Sequence, residues 1–464
     1  MPRSWRFSGR LPFAFPYIGF SVAALFAAAA LFLPSRASAR HPDKAEQSAA
    51  PQSTNSQVSP AAKARPSRDF SGSVRTQYAA RLHLRTDLGS IVIHTHDSPT
   101  VDYHVHLETD STARDADRLL KSYSLRSVPA TDGVTLVGIT STRLPAGRLW
   151  VTLELTVPRN YSVDVSTGVG NITADDLSGR QTLLTQGGNI ITGNINGSAH
   201  LTAVAGGHIS VKNVTGELVA ETGGGHITTG AIGGSAYLHT HGGHIRVDSI
   251  GGSARLVTDG GNIALEHAGA DLYAETAGGQ IQVGEAAGLV RAKTDGGGIR
   301  VVRSAGPANL QTADGSIYVT QADDSVKAST GTGGITAWFV SPGKDSGDCD
   351  LQSGKGDIVV YLGKKTPVTV DAQVQMGQTH GFIIDPAFPL AVHYDDGASG
   401  GRIAYADGAL NGGGEVLHLR TVAGNIRFVL GDTDQQMQMY RQQMEGLQKQ
   451  LEALEQRVFL SPQR

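Results

Sequence analysis

The sequence predicts an all-β chain folded as a β-solenoid, parallel β-helix-like and wound in 18-residue coils. Three features of the residue pattern carry that expectation. The isoleucine that follows each glycine turn recurs as Ile172, Ile190, Ile209, Ile227, Ile245, Ile263, Ile281, Ile299, Ile317 and Ile335, with eight of the nine intervals at 18 residues and one at 19. A fixed period of strand-forming residues marks a unit that cannot bury its own apolar face and stacks on its neighbours to do so. Five residues before each isoleucine stands a threonine, at Thr167, Thr185, Thr222, Thr240, Thr258, Thr276, Thr294, Thr312 and Thr330, with Val204 in that place in the 19-residue coil. Nine and seven residues before the isoleucine, bulk changes hands: Leu218 with Ala220, Ala236 with Leu238, Ala254 with Leu256, Leu272 with Ala274, and so on to Val326 with Ala328. A constant summed volume is what a narrow interior filled coil by coil requires.

In chain order, the N-terminus carries Arg3, Arg6 and Arg10, an uncharged run from Leu11 to Ser35, and the small residues "ASA" at 37–39. That order predicts a secretory signal peptide cleaved before Arg40. Leu11 to Leu33 is also long enough to span a bilayer, so residues 1–39 read as a signal peptide or a membrane anchor. Residues 40–69 are mainly Ala, Ser, Pro and Gln and predict a disordered linker, too poor in apolar surface to offset the entropy of ordering.

Residues 70–163 hold a first coil, "LHLRTDLGSIVI", with Leu82, Leu84, Thr86, Ile91 and Ile93 at the repeat's offsets, followed by a β-rich insertion. The insertion contains "VDYHVHLE", a short helix in "ARDADRLLKSYS" and the strand "LWVTLELTVP", and it is expected to cap an open sheet end. Residues 164–362 are the repeat block, with a degenerate coil around Ile358. Within each coil the glycine pair is expected to turn a corner, with positive φ. Residues 363–431 form the C-terminal end and cap, where "LHLRTVAGNIRFVL" restores the register through Leu417, Leu419, Thr421, Ile426 and Phe428. Over residues 432–460, Met437, Tyr440, Met444, Leu447, Leu451, Leu454 and Val458 step by three and four, the seam of a coiled-coil helix that would make a homo-oligomer.

Composition narrows the function. With 59 glycines, 6% aromatics and a net charge of -3, the chain has neither the makings of a large globular core nor the basic face that nucleic acid needs. The single cysteine, Cys349, closes no intrachain disulfide.

Chemistry-bearing residues are few. His208, His226 and His244 precede their isoleucines and are expected to stack as a solvated polar ladder, since Asn189, Asn262 and Gln280 take equivalent places. The pairs His94/His96, His104/His106 and His239/His241 each put two imidazoles on one strand face, a spacing zinc or copper could use, though surface polarity explains it as well. Asp259 and Asp295 are the candidates for acid/base work on a polysaccharide, but Ala277 stands between them, and two coil rises of about 10 Å lie at or beyond the range for an inverting pair. The sequence therefore assigns no catalytic, cofactor-binding or metal residue.

The opening coil "LHLRTDLGSIVI", the strand "LWVTLELTVPRNYSVDVSTGVGNI", the repeated T-x-G-G-x-I units and the ending "GALNGGGEVLHLRTVAGNIRF" resemble the bacterial "putative adhesin" family, a domain of unknown function with β-strand repeats, over about residues 70 to 430. The resemblance implies an envelope-associated β-solenoid and transfers no reaction. The expected function is thus an exported, non-enzymatic adhesin or scaffold of the periplasm, envelope or cell surface, meeting a glycan or protein ligand. A carbohydrate-active β-helix enzyme and a polymerising envelope scaffold are the alternatives.

Overall fold

The computed structural model describes residues 65–111, 113–141, 147–339, 347–376, 383–396 and 402–431. The expected signal or anchor (1–39), most of the linker and the heptad tail (432–460) lie outside them. Among the described residues no helix is long and apolar enough to cross a membrane.

Each winding contributes one strand to each of two sheets. In the first, the isoleucine sheet, the strands pair parallel in register, so that Ile172, Ile190, Ile209, Ile227, Ile245, Ile263, Ile281, Ile299, Ile317, Ile335, Ile358 and Ile426 lie one on the next. In the second, the threonine sheet, Thr185 pairs with Ala203, Ala203 with Thr222, and the column continues to Thr330, Ser353 and Thr421. The faces that meet between the sheets are apolar: Leu218, Ala220, Leu238, Leu256, Ile227 and Ile245 are all at most 1% exposed, and within each strand the large residue and the alanine of the exchange, as in Leu218 with Ala220 and Ala236 with Leu238, are both buried.

Two expectations about the coil change in detail. Val204 does not occupy the threonine place: Ala203 does, buried at 1%, while Val204 is 47% exposed, because the extra residue of that winding is taken up in the turn after the strand. The corner glycines are also needed for a reason other than the one expected. A Cβ on Gly225, Gly243, Gly261, Gly279 or Gly297 would sit 1.9–2.2 Å from the carbonyl oxygen of the equivalent glycine one winding earlier. Positive φ in the left-handed range accompanies this at Gly170, Gly188, Gly333 and Gly356 towards the two ends of the column, but in the central windings close approach of backbone to backbone is the requirement. The first glycine of each pair is free of it: Gly242 meets nothing nearer than 3.8 Å and Gly260 nothing within 4 Å.

The ends are built alike. The strand Ser90–His96 lies between Ile172–Ala174 and Leu149–Pro158, so the first winding sits under its own insertion. Thr100–Thr109 then pairs antiparallel with Leu149–Pro158, and Ser67–Arg75 antiparallel with Thr100–Thr109. Residues 67–69, placed in the linker by sequence, thus already belong to a strand. On the threonine sheet the same end is closed by Gly133–Thr140 and Tyr123–Ala130, and the expected helix spans Ala113–Leu120. At the other end the last winding, Val416–Ala423, slips between Cys349–Lys355 and Val368–Met376, which continues antiparallel into Arg402–Leu410 and Ala391–Asp396. Antiparallel strands finish both sheets at the first end and the threonine sheet at the other, while there the isoleucine sheet ends in the short parallel strand Ile384–Asp385 against Ile426–Gly431.

Candidate functional site

Three features of the outer surface bear on function, and each follows from the register. The first is the corner ladder. From Asn171 to Asn262 the residue before the isoleucine turns its side chain along the stack, where it accepts a hydrogen bond from the backbone N–H of its counterpart in the next winding. His208 Nδ1 accepts from the His226 amide (2.9 Å), His226 Nδ1 from the His244 amide (2.9 Å) and His244 Nδ1 from the Asn262 amide (2.8 Å), while Asn189 and Asn262 do the same through Oδ1. The rings stack at 4.9 Å with interplanar angles of 19° and 2°. Burial, with the neighbouring His244 and His208 adding to it, holds the pKa of His226 below its ordinary value. The ladder expected from sequence is therefore present, and its Nδ1 atoms are committed to the backbone.

The second feature is the pairing of histidines with carboxylates across windings. His94 Nδ1 lies 2.9 Å from Asp175, and His96 Nε2 lies 2.8 Å from the Thr100 carbonyl, so that pair separates to different partners. His104 and His106 flank Asp69, at 3.2 and 2.8 Å from the same oxygen. The hydrogen bond from His106 lowers the Asp69 pKa, and the same bond raises that of His106. His83 is held between Asp132 and Asp164, both at 3.1 Å, and His418 lies 2.7 Å from Asp371. His241 Nδ1 lies 2.8 Å from Asp259. Asp259 and Asp295 are not brought together: Ala277 donates to the Asp259 carbonyl and Asp295 to the Ala277 carbonyl, so a full winding separates them. Cys349 is buried, and burial pushes its thiol pKa up to about 11, which removes it as a nucleophile.

The third feature went unseen in the sequence. On the outer face of the threonine sheet, Ser329, Gln352, Arg420 and Gln373 stand in one row across four adjacent strands. With Gln375 they line a cleft of about 310 Å³ where the repeat block meets the C-terminal cap. The row continues as Tyr405 and His393, whose rings stack at 5.3 Å. In the opposite direction the same face carries Tyr273 with Arg255 over its ring at 4.2 Å. The row was hidden because the strand Val416–Ala423 enters between residues 355 and 368, an order no local pattern declares.

No family model matches the chain and no curated protein does. Among solved structures it is similar to a "putative cell adhesion protein" from Clostridium sporogenes, at 8% identity over 79% of this chain and 100% of that one, with a TM-score of 0.19. It is also similar to a "putative adhesin" from Bacteroides fragilis, at 10% identity over 78% of this chain and 97% of that one (TM-score 0.20). A third, a "putative adhesin" from Parabacteroides distasonis, has 9% identity over 78% of this chain and 97% of that one (TM-score 0.20). The names agree with the resemblance read from the sequence, and superpositions this loose transfer neither a residue nor a role.

Proposed function

We propose that this protein is an exported, non-enzymatic envelope protein that works by recognition, holding a ligand on the outer face of its threonine sheet. The observation that carries this reading is the row Ser329, Gln352, Arg420 and Gln373 over the cleft at the C-terminal cap. Two primary amides, a hydroxyl and a guanidinium on a rigid sheet match the alternating donors and acceptors of an oligosaccharide, and rings such as Tyr405 and Tyr273 suit the faces of sugars. Recognition of this kind needs neither a general acid nor a nucleophile. The signal or anchor expected from residues 1–39 supports a place in the periplasm, envelope or at the cell surface, and the heptad pattern of 432–460 supports a gathering of copies in which weak sites would add through avidity.

The test is titration of the full mature chain with neutral and acidic envelope oligosaccharides, followed by fluorescence anisotropy. Saturable binding that is lost in both Gln373→Ala and Arg420→Ala supports the reading. Absence of binding to every saccharide, or binding indifferent to both substitutions, overturns it.

A further inference from the structure

We propose that His239, His241 and Asp259 form a binding site for a divalent transition cation of the zinc class. The strand Ala236–Thr240 points His239 outward, and His241, two residues on, leaves the same face at the start of the corner. Asp259 holds the place of His241 one winding later, and its amide donates to the His241 carbonyl at 3.1 Å, so backbone pairing fixes the separation of the two side chains. The imidazoles meet edge to face, with centroids 4.9 Å apart and planes at 74°, instead of stacking. One nitrogen from each ring and one carboxylate oxygen lie within 4.8 Å of one another.

Zinc bonds of about 2.0–2.2 Å in a tetrahedron set ligand atoms about 3.3–3.6 Å apart, and rotation of exposed side chains closes that difference. His241 Nδ1 and an Asp259 carboxylate oxygen already lie 2.8 Å apart, a contact that a cation of charge two would replace. Two neutral imidazoles and one carboxylate leave a fourth position for water, or for Glu221, which is paired with His239 one winding earlier.

The other histidine groups are arranged differently. In the corner ladder Nδ1 is taken by the backbone of the next winding, and His104 and His106 approach one oxygen of Asp69 from two sides. Among the described residues, the set at 239, 241 and 259 is the one whose three ligand atoms all lie within 4.8 Å of one another. Imidazole with carboxylate suits zinc or copper over magnesium or calcium.

Metal-free full-length chain, titrated with zinc chloride at pH 7.5 against a colorimetric chelator, is expected to take up one equivalent. Affinity should fall at least about 10-fold in each of His239→Ala, His241→Ala and Asp259→Asn, the loss that even outer-shell partners cause. The variants should keep the parent melting temperature without metal, since all three side chains lie outside the core, and His104→Ala/His106→Ala should bind as the parent does. No uptake, uptake unchanged in His239→Ala/His241→Ala, or uptake lost in His104→Ala/His106→Ala would each overturn the assignment. Saccharide binding is read separately, so the two proposals stand or fall independently.

Discussion

The hydroxyl of Thr258 donates to the carbonyl of Gly243, 2.8 Å away in the preceding winding, and accepts from the amide of Gly261 in its own at 3.2 Å. The donor half of this arrangement recurs from Thr222 with Gly207 to Thr330 with Gly315. A buried threonine thus satisfies the carbonyl of a corner whose second glycine lies too close to its counterpart in the preceding winding to admit a side chain.

Thr258→Val keeps the shape and removes that hydroxyl, leaving the Gly243 carbonyl buried without its donor. A loss of about 1–3 kcal/mol is expected in denaturant unfolding, the desolvation cost of an orphaned polar group. Thr258→Ser should restore most of it, and equal stability of the Val and Ser variants would refute the explanation.

The same exchange elsewhere should have the opposite sign. Thr229 is 2% exposed, its hydroxyl has no partner, and its paired positions in adjacent windings are Val211 and Val247. Thr229→Val is expected to stabilise by about 0.5–2 kcal/mol, seen as a raised melting temperature.

The two members of a glycine pair should differ sharply. Gly243→Ala would force a Cβ to within 1.9 Å of the Gly225 carbonyl oxygen and cost about 1–3 kcal/mol or more, as overpacking does. Gly242→Ala, with open space around it, should stay within about 0.5 kcal/mol of the parent. Equal melting temperatures for the two would sink this account of the corner.

Acid should loosen the corner ladder. The His226 pKa is lowered by folding, so the unfolded chain takes up its proton first. Stability is full above pH 6.5, the unfolded value, and declines as pH falls from there through the lowered folded one. His226→Asn keeps a side-chain acceptor, as Asn262 does towards Gln280. The variant should match the parent at pH 7.5 and lose less on going to pH 5. His106, whose pKa is raised, acts in the reverse sense and is common to both proteins, so the difference between them isolates the ladder.

The winding and its inward columns were legible because an 18-residue period repeats the same physical demand many times over, and Ile, Thr and the Leu/Ala exchange each answer it. One inward column escaped. Ile195, Val214, Ile232, Ile250, Ala268, Ala286, Ser304 and Ala322 are all at most 4% exposed, five residues after their isoleucines. The strand bends between the second and fifth residue and breaks the alternation of two, so this column reads as out of phase. The outer surface was less legible. The reason for the threonines lay in a carbonyl 15 residues back, and the partners of His83, His94 and His418 come from segments 81, 81 and 47 residues away. Asp259 was noticed for a different chemistry because its relation to His239 and His241 exists only once the windings are stacked.

The clamped first and last windings have a consequence for the middle. Interior windings touch only their neighbours, and each cap touches only its own end, so the total can change by whole numbers without disturbing either extremity. Excising residues 236–253 would join Ser235 to Ala254 as Ser253 joins it now, and would bring the entering and departing chain closer by one strand spacing, about 4.8 Å. Reach in this molecule is therefore a counted quantity: the gene can lengthen or shorten it one 18-residue step at a time.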